Sequence, residues 1–500
     1  MSLNSVIDTA WSGLDAASRR LQVVSQNVAN AGTAGYARET TSTSAVVAGS
    51  AGNGTRLNLV GRATDDLLQA GVFHANAQGA ALDARSTALA AVDAVSGTVG
   101  DGTDLSSRLG KLQDGFSALE NSPANETAQR AVVGDAANVA GALNSISDAI
   151  GAQRQAAQDS AVSSVNTLNT TLYAVGALTD QIVKAKASGQ DSADLENARD
   201  AQLNTLSGLV DVTALRRDDG TLLLASGGTI LPQRPAEGAF ALGAATVKAD
   251  TPSSAVPPLT LKGVPTAVSG GALGGALSVR DQVLPAQQAA VDEVAHTLAT
   301  RFDAQGLTLF TNPSGNVPAG GTPFTQSGYV GFAGTIRVNP AVAAAPSLVR
   351  DGTHNVAGSP AGPSAFTTGG AAGSTTMIDR VLDFALGTEV RSGVAQPASA
   401  VSGLGVDGTI STGGSGAGSL ATLAAGLTAA QAEAAGNASA QLSAATALTG
   451  TLQSKLASGT GVSVDTELST MVQLQNAYSA NARVLSTVKD MWSSLLEMVQ

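Results

Sequence analysis

Both ends of this 500-residue chain carry an apolar stripe with the same short period. Near the start, Leu3, Ile7, Ala10, Leu14, Ala17, Leu21, Val24 and Val28 follow one another at steps of four and three. That spacing lays one seam along a helix and favours a left-handed supercoil with a second helix. Asp8, Asp15, Arg19 and Arg20 fall off the seam. The helix is expected to stop near Asn30 and Gly32, residues that accept the left-handed backbone of a C-cap. At the other end Leu474, Ala477, Asn481, Val484, Val488, Met491, Leu495 and Met498 repeat the pattern, with Met471, Tyr478, Leu485, Trp492 and Val499 recurring every seven residues beside it. The second set widens the stripe to three positions in seven, enough to cover more than one neighbour. Chain ends ordinarily fray and carry little core. The two terminal helices are therefore expected to pair with each other, and the pair to pack against further subunits.

The interior alternates between two kinds of pattern. From about 62 to 206 the period is helical: Leu68, Ala75, Leu82 and Leu89 are seven apart, and Val139, Leu143, Ile146 and Ile150 continue in threes and fours. From about 207 to 275 it shifts to short β-rich runs, LVDVTAL and TLLLASG, separated by the turn signal DDG at 218–220 and followed by PSSAVPPLTLKGVP. Residues 278–303 return to helix, 307–372 are rich in Gly and Pro with candidate strands such as GTIRVN, and 374–387 and 419–458 read as helical. The fold class expected is α+β: a terminal coiled-coil layer from 1–60 with 461–500, a long-helix bundle from 61–206 with 276–306 and 372–460, and inserted outer domains. Those insertions are a β-rich domain over 207–275 and a Gly/Pro-rich β-type insertion over 307–371.

Composition narrows the chemistry. Lys and Arg number 27 against 39 Asp and Glu, a net charge of −12, so a surface of clustered cations that tracks nucleic-acid phosphates is not expected. There is no cysteine, which removes disulfides, thiolate metal sites and cysteine nucleophiles together. His74, His296 and His354 lie far apart in unlike contexts, with no metal-ligand spacing. The N-terminus lacks a basic region followed by an apolar run, so no cleaved signal peptide is expected. No apolar run of about 18 residues occurs to span a membrane. GLGVDG at 403–408 satisfies G-x-G-x-x-G but has neither a strongly apolar strand before it nor a helix start after it, and reads as a flexible linker. Asp65 with Asp66 and Asp218 with Asp219 read as a helix start and a turn. Arg199 with Asp200 and Arg280 with Asp281 each stand in helical context. Neighbours in sequence do not face each other on a helix, so each residue is expected to pair with another segment or another subunit. No catalytic residue, cofactor site or metal site is expected, and the chain reads as a non-enzyme.

The residues also carry a resemblance. ANAGTAGYAR at 29–38 resembles the signature A-N-x-x-T-x-G-Y shared by the rod, hook and hook-associated families of bacterial flagellar axial proteins, and places Ala29, Asn30, Thr33, Gly35 and Tyr36 on that motif. Ala34 stands where the family often has proline, which leaves that turn less rigid. QNAYSANARVLSTVKDMWSSLLEMV at 475–499 is similar to the paired signature at the other end. Two interior stretches, DLENARDAQLNTLSGLVDVTALRRDDGTLLLASGGTIL at 194–231 and GGALSVRDQVLPAQQAAVDEVAHTLATRF at 274–302, resemble the hook-associated members that form the first hook to filament junction layer. Arg199, Asp200, Arg280 and Asp281 lie within them. The more acidic stretch that often precedes the family's last helix is reduced here to Asp465 and Glu467 in GVSVDTELSTM at 461–471.

The resemblance implies a structural subunit of the extracellular flagellum, exported unfolded through the flagellar secretion apparatus without a cleaved signal peptide. It implies self-association as a ring or short helical layer through the terminal helices. The other partners it implies are the hook protein, the next junction protein and an export chaperone at the C-terminal region, with no nucleic acid and no membrane span. A rod or hook subunit shares the termini and is the alternative within the class. A secreted hydrolase carrying a flagellar-type export helix is the alternative outside it.

Overall fold

The computed structural model describes residues 3–33, 35–48, 51–356, 371–412 and 416–498; Ala34 and Val499 lie outside the described residues, as do the side chains of Leu3 and Leu495. The chain opens with α1 (Leu3–Ala29), then β1 (Glu39–Thr40), β2 (Thr43–Ala48), β3 (Ala51–Leu57) and β4 (Gly61–Arg62). Four helices follow: α2 (Asp66–Ser96), α3 (Leu105–Glu120), α4 (Glu126–Ala187) and α5 (Ala193–Leu209). A β-rich segment carries β5 (Thr213–Arg216), β6 (Leu222–Ser226), β7 (Thr229–Ile230), β8 (Phe240–Ala241), β9 (Thr260–Leu261) and β10 (Val264–Pro265). Next come α6 (Gly271–Ser278), a π-helical turn over Val279–Val283, and α7 (Leu284–Asp303). Short elements follow: β11 (Phe310–Thr311), β12 (Arg337–Val338), α8 (Pro340–Ala344), α9 (Leu348–Asp351), α10 (Thr376–Arg380), β13 (Glu389–Arg391) and β14 (Val394–Ala395). The chain ends in α11 (Leu420–Thr460) and α12 (Val464–Glu497). The fold is α-rich with small separate antiparallel sheets, the α+β class read from the sequence.

Local sequence explains where the long helices begin. Asp104, Asn125 and Ser419 sit at the N-caps of α3, α4 and α11, and each side chain accepts from a backbone N–H of the first turn. At 62 residues α4 is the longest element, roughly 90 Å at 1.5 Å per residue, and two cores are built along it. One joins its first half to α3, α7 and the segments around 307–349, with Phe116, Phe302 and Phe310 fully buried. Phe302 meets Phe116 at 6.1 Å between centroids and Phe310 edge-on at 5.4 Å. The other core joins the second half of α4 to α5, α6 and the inner faces of the β5-β6-β7 and β8-β9-β10 sheets, through Leu168, Leu172, Leu203, Leu222 and Leu224. Between the two cores Arg154, 1% exposed, donates to the carbonyls of Arg280, Lys248 and Ala249 at 2.8–3.0 Å.

Three local features differ from expectation. The pattern over 1–60 predicts only a coiled-coil layer, whereas β2 and β3 pair antiparallel and β3 packs along α1. Between 307 and 356 regular β structure amounts to the two-residue β11-β12 ladder, the rest being turns and short helices, because the Gly and Pro that mark this stretch interrupt ladders. Residues 357–370 of that insertion lie outside the described residues. GLGVDG is not a free linker: Leu404 bridges Ile410, and the Gly405 N–H donates to Gln326.

Phe116→Ala removes a fully buried ring from the first core. It is expected to lower unfolding free energy by about 3–5 kcal/mol, read from the shift in denaturant midpoint at unchanged slope.

Candidate assembly interface

The axial motif closes as a turn at the end of α1. Thr33 and Tyr36 donate backbone N–H groups to the carbonyls of Asn30 and Thr33 at 2.9 and 3.2 Å, and Gly35 takes φ +80°, which suits a residue without Cβ. The Tyr36 hydroxyl then donates to Asn27 Oδ1 at 3.1 Å. Asn27, 1% exposed, also exchanges two 2.9 Å bonds with the backbone of Glu39. The turn is thereby tied to β1 by one buried amide.

From β1 and β4 the polar network runs into α5. The ladder sets Glu39 opposite Arg62. Arg62 donates to Glu196 at 3.0 Å, Asn197 at 3.0 Å and Asp200 at 2.9 Å, three residues that the helical spacing gathers on one side of α5. Asn197 brackets the backbone of Ala37 and donates to Glu39 Oε1 at 3.2 Å. Arg216 on β5 closes the other side of Asp200 at 2.8 Å and reaches Asp66 and Gln69 on α2. Arg38 adds the C-terminal end of the chain: its Nε donates to Glu467 at 2.6 Å and its N–H to the Thr460 carbonyl at 2.8 Å. Elements α1, β1, β4, α2, α5, β5, α11 and α12 thus meet at one joint, beside a cleft of about 370 Å³ walled by the axial motif, α2, α5 and α11.

The charges are arranged so that their protonation differs. For Glu196 and Asp200 burial alone would raise the carboxyl, but Lys186 with Arg62 at the first, and Arg62 with Arg216 at the second, bring it below its ordinary value. Glu39 goes the other way. Burial, then the Asp194 carboxylate, push it up to about 7 against the pull of Arg62. The same burial, with Glu39 next, raises the Tyr36 phenol.

The terminal helices pack along each other. Ala10, Ala17 and Val24 are buried on α1, with Ile7, Leu14, Leu21 and Val28 half-buried between them. On α12 the buried apolar residues are Leu474 and Val488, with Asn481 midway at the same seven-residue spacing. Asn481 lies against Gly13, where a Cβ would come within 3.0 Å of its amide. Leu485 is half-buried. Tyr478, Val484, Met491 and Trp492 stand 39–52% exposed, as does Trp11 at 59% on α1. The wide C-terminal stripe is therefore divided: one row meets α1 and the rest is open.

The interior motif residues separate. Arg199 donates to the Gly220 carbonyl at 2.9 Å and Asp200 belongs to the joint, so these neighbours do pair with other segments. Arg280 meets another segment as expected, but Asp281 corrects the expectation. They form a two-pronged pair with each other, both bonds at 2.7 Å. They sit in the π-helical turn, and Arg350 pairs with Asp351 in the same two-pronged way on α9, because the long arginine stem lets its guanidinium fold back onto the neighbouring carboxylate. Arg280 also donates to Gln158 on α4, clamping the turn to the long helix away from the terminal joint.

Among the described residues no group of three or more His, Asp or Glu is placed to hold a metal ion, and no helix is long and apolar enough to cross a membrane. His296 stacks on Tyr329 at 3.7 Å and His74 contacts Asp211 at 3.1 Å. Asp292, fully buried and pushed up to about 7 by that burial, accepts from the N–H groups of Gly331 and Ala333 and from Gln288; these bonds fasten a loop to α7.

Comparison with known families matches residues 89–316 to the flagellar hook-associated protein FlgK helical domain. Residues 7–36 match the flagella basal body rod protein family, and 453–498 the flagellar basal body rod FlgEFG protein C-terminal family. Over a little under half of its length the chain is therefore similar to the flagellar hook-associated protein FlgK family. It is 29% identical over 327 residues to flagellar hook-associated protein 1 of Salmonella typhimurium, covering 61% of this chain and 56% of that protein. To the protein of the same name from Escherichia coli it is 26% identical over 326 residues, covering 61% and 57%. The match thus spans a little over half the length of these curated relatives. The flagellar hook junction protein FlgK from Burkholderia pseudomallei aligns with TM-score 0.41 and 24% identity, over 51% of this chain and 46% of that one.

In the family's terms the joint links all three matched regions: Asn27 and Tyr36 lie in the first, Asn197, Asp200 and Arg216 in the second, Glu467 in the third. Arg62, Glu39 and Arg38 fall between matches and were not singled out from the sequence. The signal available was scarcity: with charged residues at 13%, a run such as Arg38-Glu39 beside short β segments marks a place where charge has a fixed partner.

Glu39 supplies a pH test. Between its ordinary value of 4.5 and about 7 the folded state holds a proton that the unfolded chain releases, so this group's contribution to stability falls as pH rises through that window. Glu196 and Asp200, shifted the opposite way, lose their contribution only at lower pH. The unfolding free energy of wild type minus that of Glu39→Gln is expected to fall as pH rises from about 5 to about 7.5; a difference flat over this range refutes the assignment. Asp292 and His296 titrate alike in both proteins and cancel.

Proposed function

We propose that this chain is a non-enzymatic subunit of the bacterial flagellum that forms the junction layer between hook and filament. It is exported unfolded by the flagellar secretion apparatus and assembles outside the cell through its paired terminal helices, as a ring or short helical layer. The observation that carries this reading is the divided stripe. One row of α12 is used against α1, while Tyr478, Val484, Met491 and Trp492 leave an apolar face open along the same helix. Such a face is costly in a lone molecule and useful in a layer of copies. The proposed neighbours above and below the layer are the next junction protein and the hook protein, and an export chaperone holds the C-terminal region before secretion.

The rod-type matches at both termini favour one second reading, a rod or hook subunit. A strain lacking the protein separates the two. Completed hooks with flagellin released into the medium support the junction role, whereas loss of the hook itself sinks it.

Leu14→Asp and Leu485→Asp place a charge within the α1–α12 seam, where it loses hydration without gaining a partner. Each is expected to abolish assembly and swimming while the helical domain unfolds at an unchanged midpoint. Normal swimming by either variant counts against the seam.

A further inference from the structure

The outer face of the β5-β6-β7 sheet is apolar where an antiparallel sheet with one open face ordinarily shows polar side chains. The inner face is accounted for: Leu222, Leu224 and Ser226 point into the second core and are buried. The ladder register sets the outer face. Leu215 lies directly opposite Leu223, Thr213 opposite Ala225, and Ala225 in turn opposite Ile230. Leu215 is 57% exposed, Leu223 41% and Ile230 63%, so three large aliphatic side chains share this face on two neighbouring rows, Leu215 beside Leu223 and Ile230 beside Ala225, with no charged residue between them. Arg216, the charged residue of β5, points inward to Asp200 and Asp66, and Arg217, Asp218 and Asp219 are confined to the hairpin turn.

We infer that this sheet face packs against a second copy of the chain within the assembled layer. The inference rests on the assembly reading above and adds to it a contact remote from the terminal helices. Size identifies the occupant. Three partly exposed aliphatic side chains present on the order of a few hundred Å², well below the roughly 800 Å² per partner that a stable independent complex buries. A separate protein that bound here would have to draw its affinity from this patch. A second copy does not, because the open stripe of α12 holds neighbouring copies together and turns the sheet contact into an intramolecular-like event at high effective concentration. The face accordingly leaves the isolated chain monomeric and becomes covered only in the layer. A contact of this kind also explains why the face is aliphatic: it orients neighbours without demanding the partnered charges that fix the joint at Arg62.

The absence of cysteine allows a direct test. Single Ile230→Cys and Val472→Cys variants are labelled with a benzophenone maleimide; Val472, 56% exposed, reports the open face of α12. Hook-basal bodies carrying each labelled variant are irradiated, and the adducts are digested and identified by mass spectrometry. The expected result is a covalent dimer of this chain from both positions, and no dimer from either in dilute purified monomer. A dimer from position 472 with no adduct from position 230 overturns the sheet contact and leaves the assembly reading standing. An adduct joining position 230 to a different flagellar protein overturns the choice of occupant. No self-adduct from either position overturns the assembly reading and the sheet contact with it.

Discussion

A single buried guanidinium, that of Arg62, decides how the ends of this chain sit on its middle. Its side chain is 5% exposed and bonds Glu196, Asn197 and Asp200 together, while the strand that carries it is paired to the strand that carries Glu39. A buried charge is tolerated when every partner is in place and is severely destabilising when one is missing. The set therefore has one good geometry. Through Asn27 and Tyr36 it fixes where α1 ends, through Arg216 it fixes β5 and the start of α2, and through the adjacent Arg38 it fixes the entry of α12. Apolar contact alone would not do this in a chain with so few large side chains, because alanine-lined helices slide past one another at little cost.

The same division of labour recurs between the two cores. Aromatic residues are 3% of the chain, and a cluster of them is gathered at Phe116, Phe302 and Phe310. The second core is packed mainly with leucines, and polar pins supply position. Arg154 holds the 248–249 loop and the π-helical turn to the middle of α4, and the Arg280–Asp281 pair locks that turn from within. Long helices carry distance, polar joints carry orientation, and the insertions attach at those joints. The termini follow a different rule. Their seam is apolar, and a single molecule covers one row of it and leaves Tyr478, Val484, Met491 and Trp492 open.

Much of this was legible in the sequence. The 3.5-residue stripes located α1 and α12 because a helix repeats its contacts through local geometry, and the DDG signal located the β5-β6 turn because three short-range residues suffice to make one. The motif at 29–36 and the stretches at 194–231 and 274–302 carried the family resemblance. The β2-β3 hairpin was not legible, since its apolar run is short and its partner surface lies on α1. Nor was the pairing of Arg280 with Asp281, because a long side chain folding back onto its neighbour leaves no periodic trace.

What the sequence determined by itself, then, were the elements with local causes: the amphipathic ends, the capped starts of the long helices and the turns, together with a net charge of −12. What the tertiary structure decided was which residues meet. Arg62 and Asp200 are 138 residues apart, Arg38 and Glu467 429 apart. Such pairings depend on how whole helices are laid together, and no short-range pattern encodes them. The split of the C-terminal stripe into a covered row and an open one has the same origin: periodicity fixes that a helix has an apolar face, and only the position of its neighbour fixes how much of that face remains to be used.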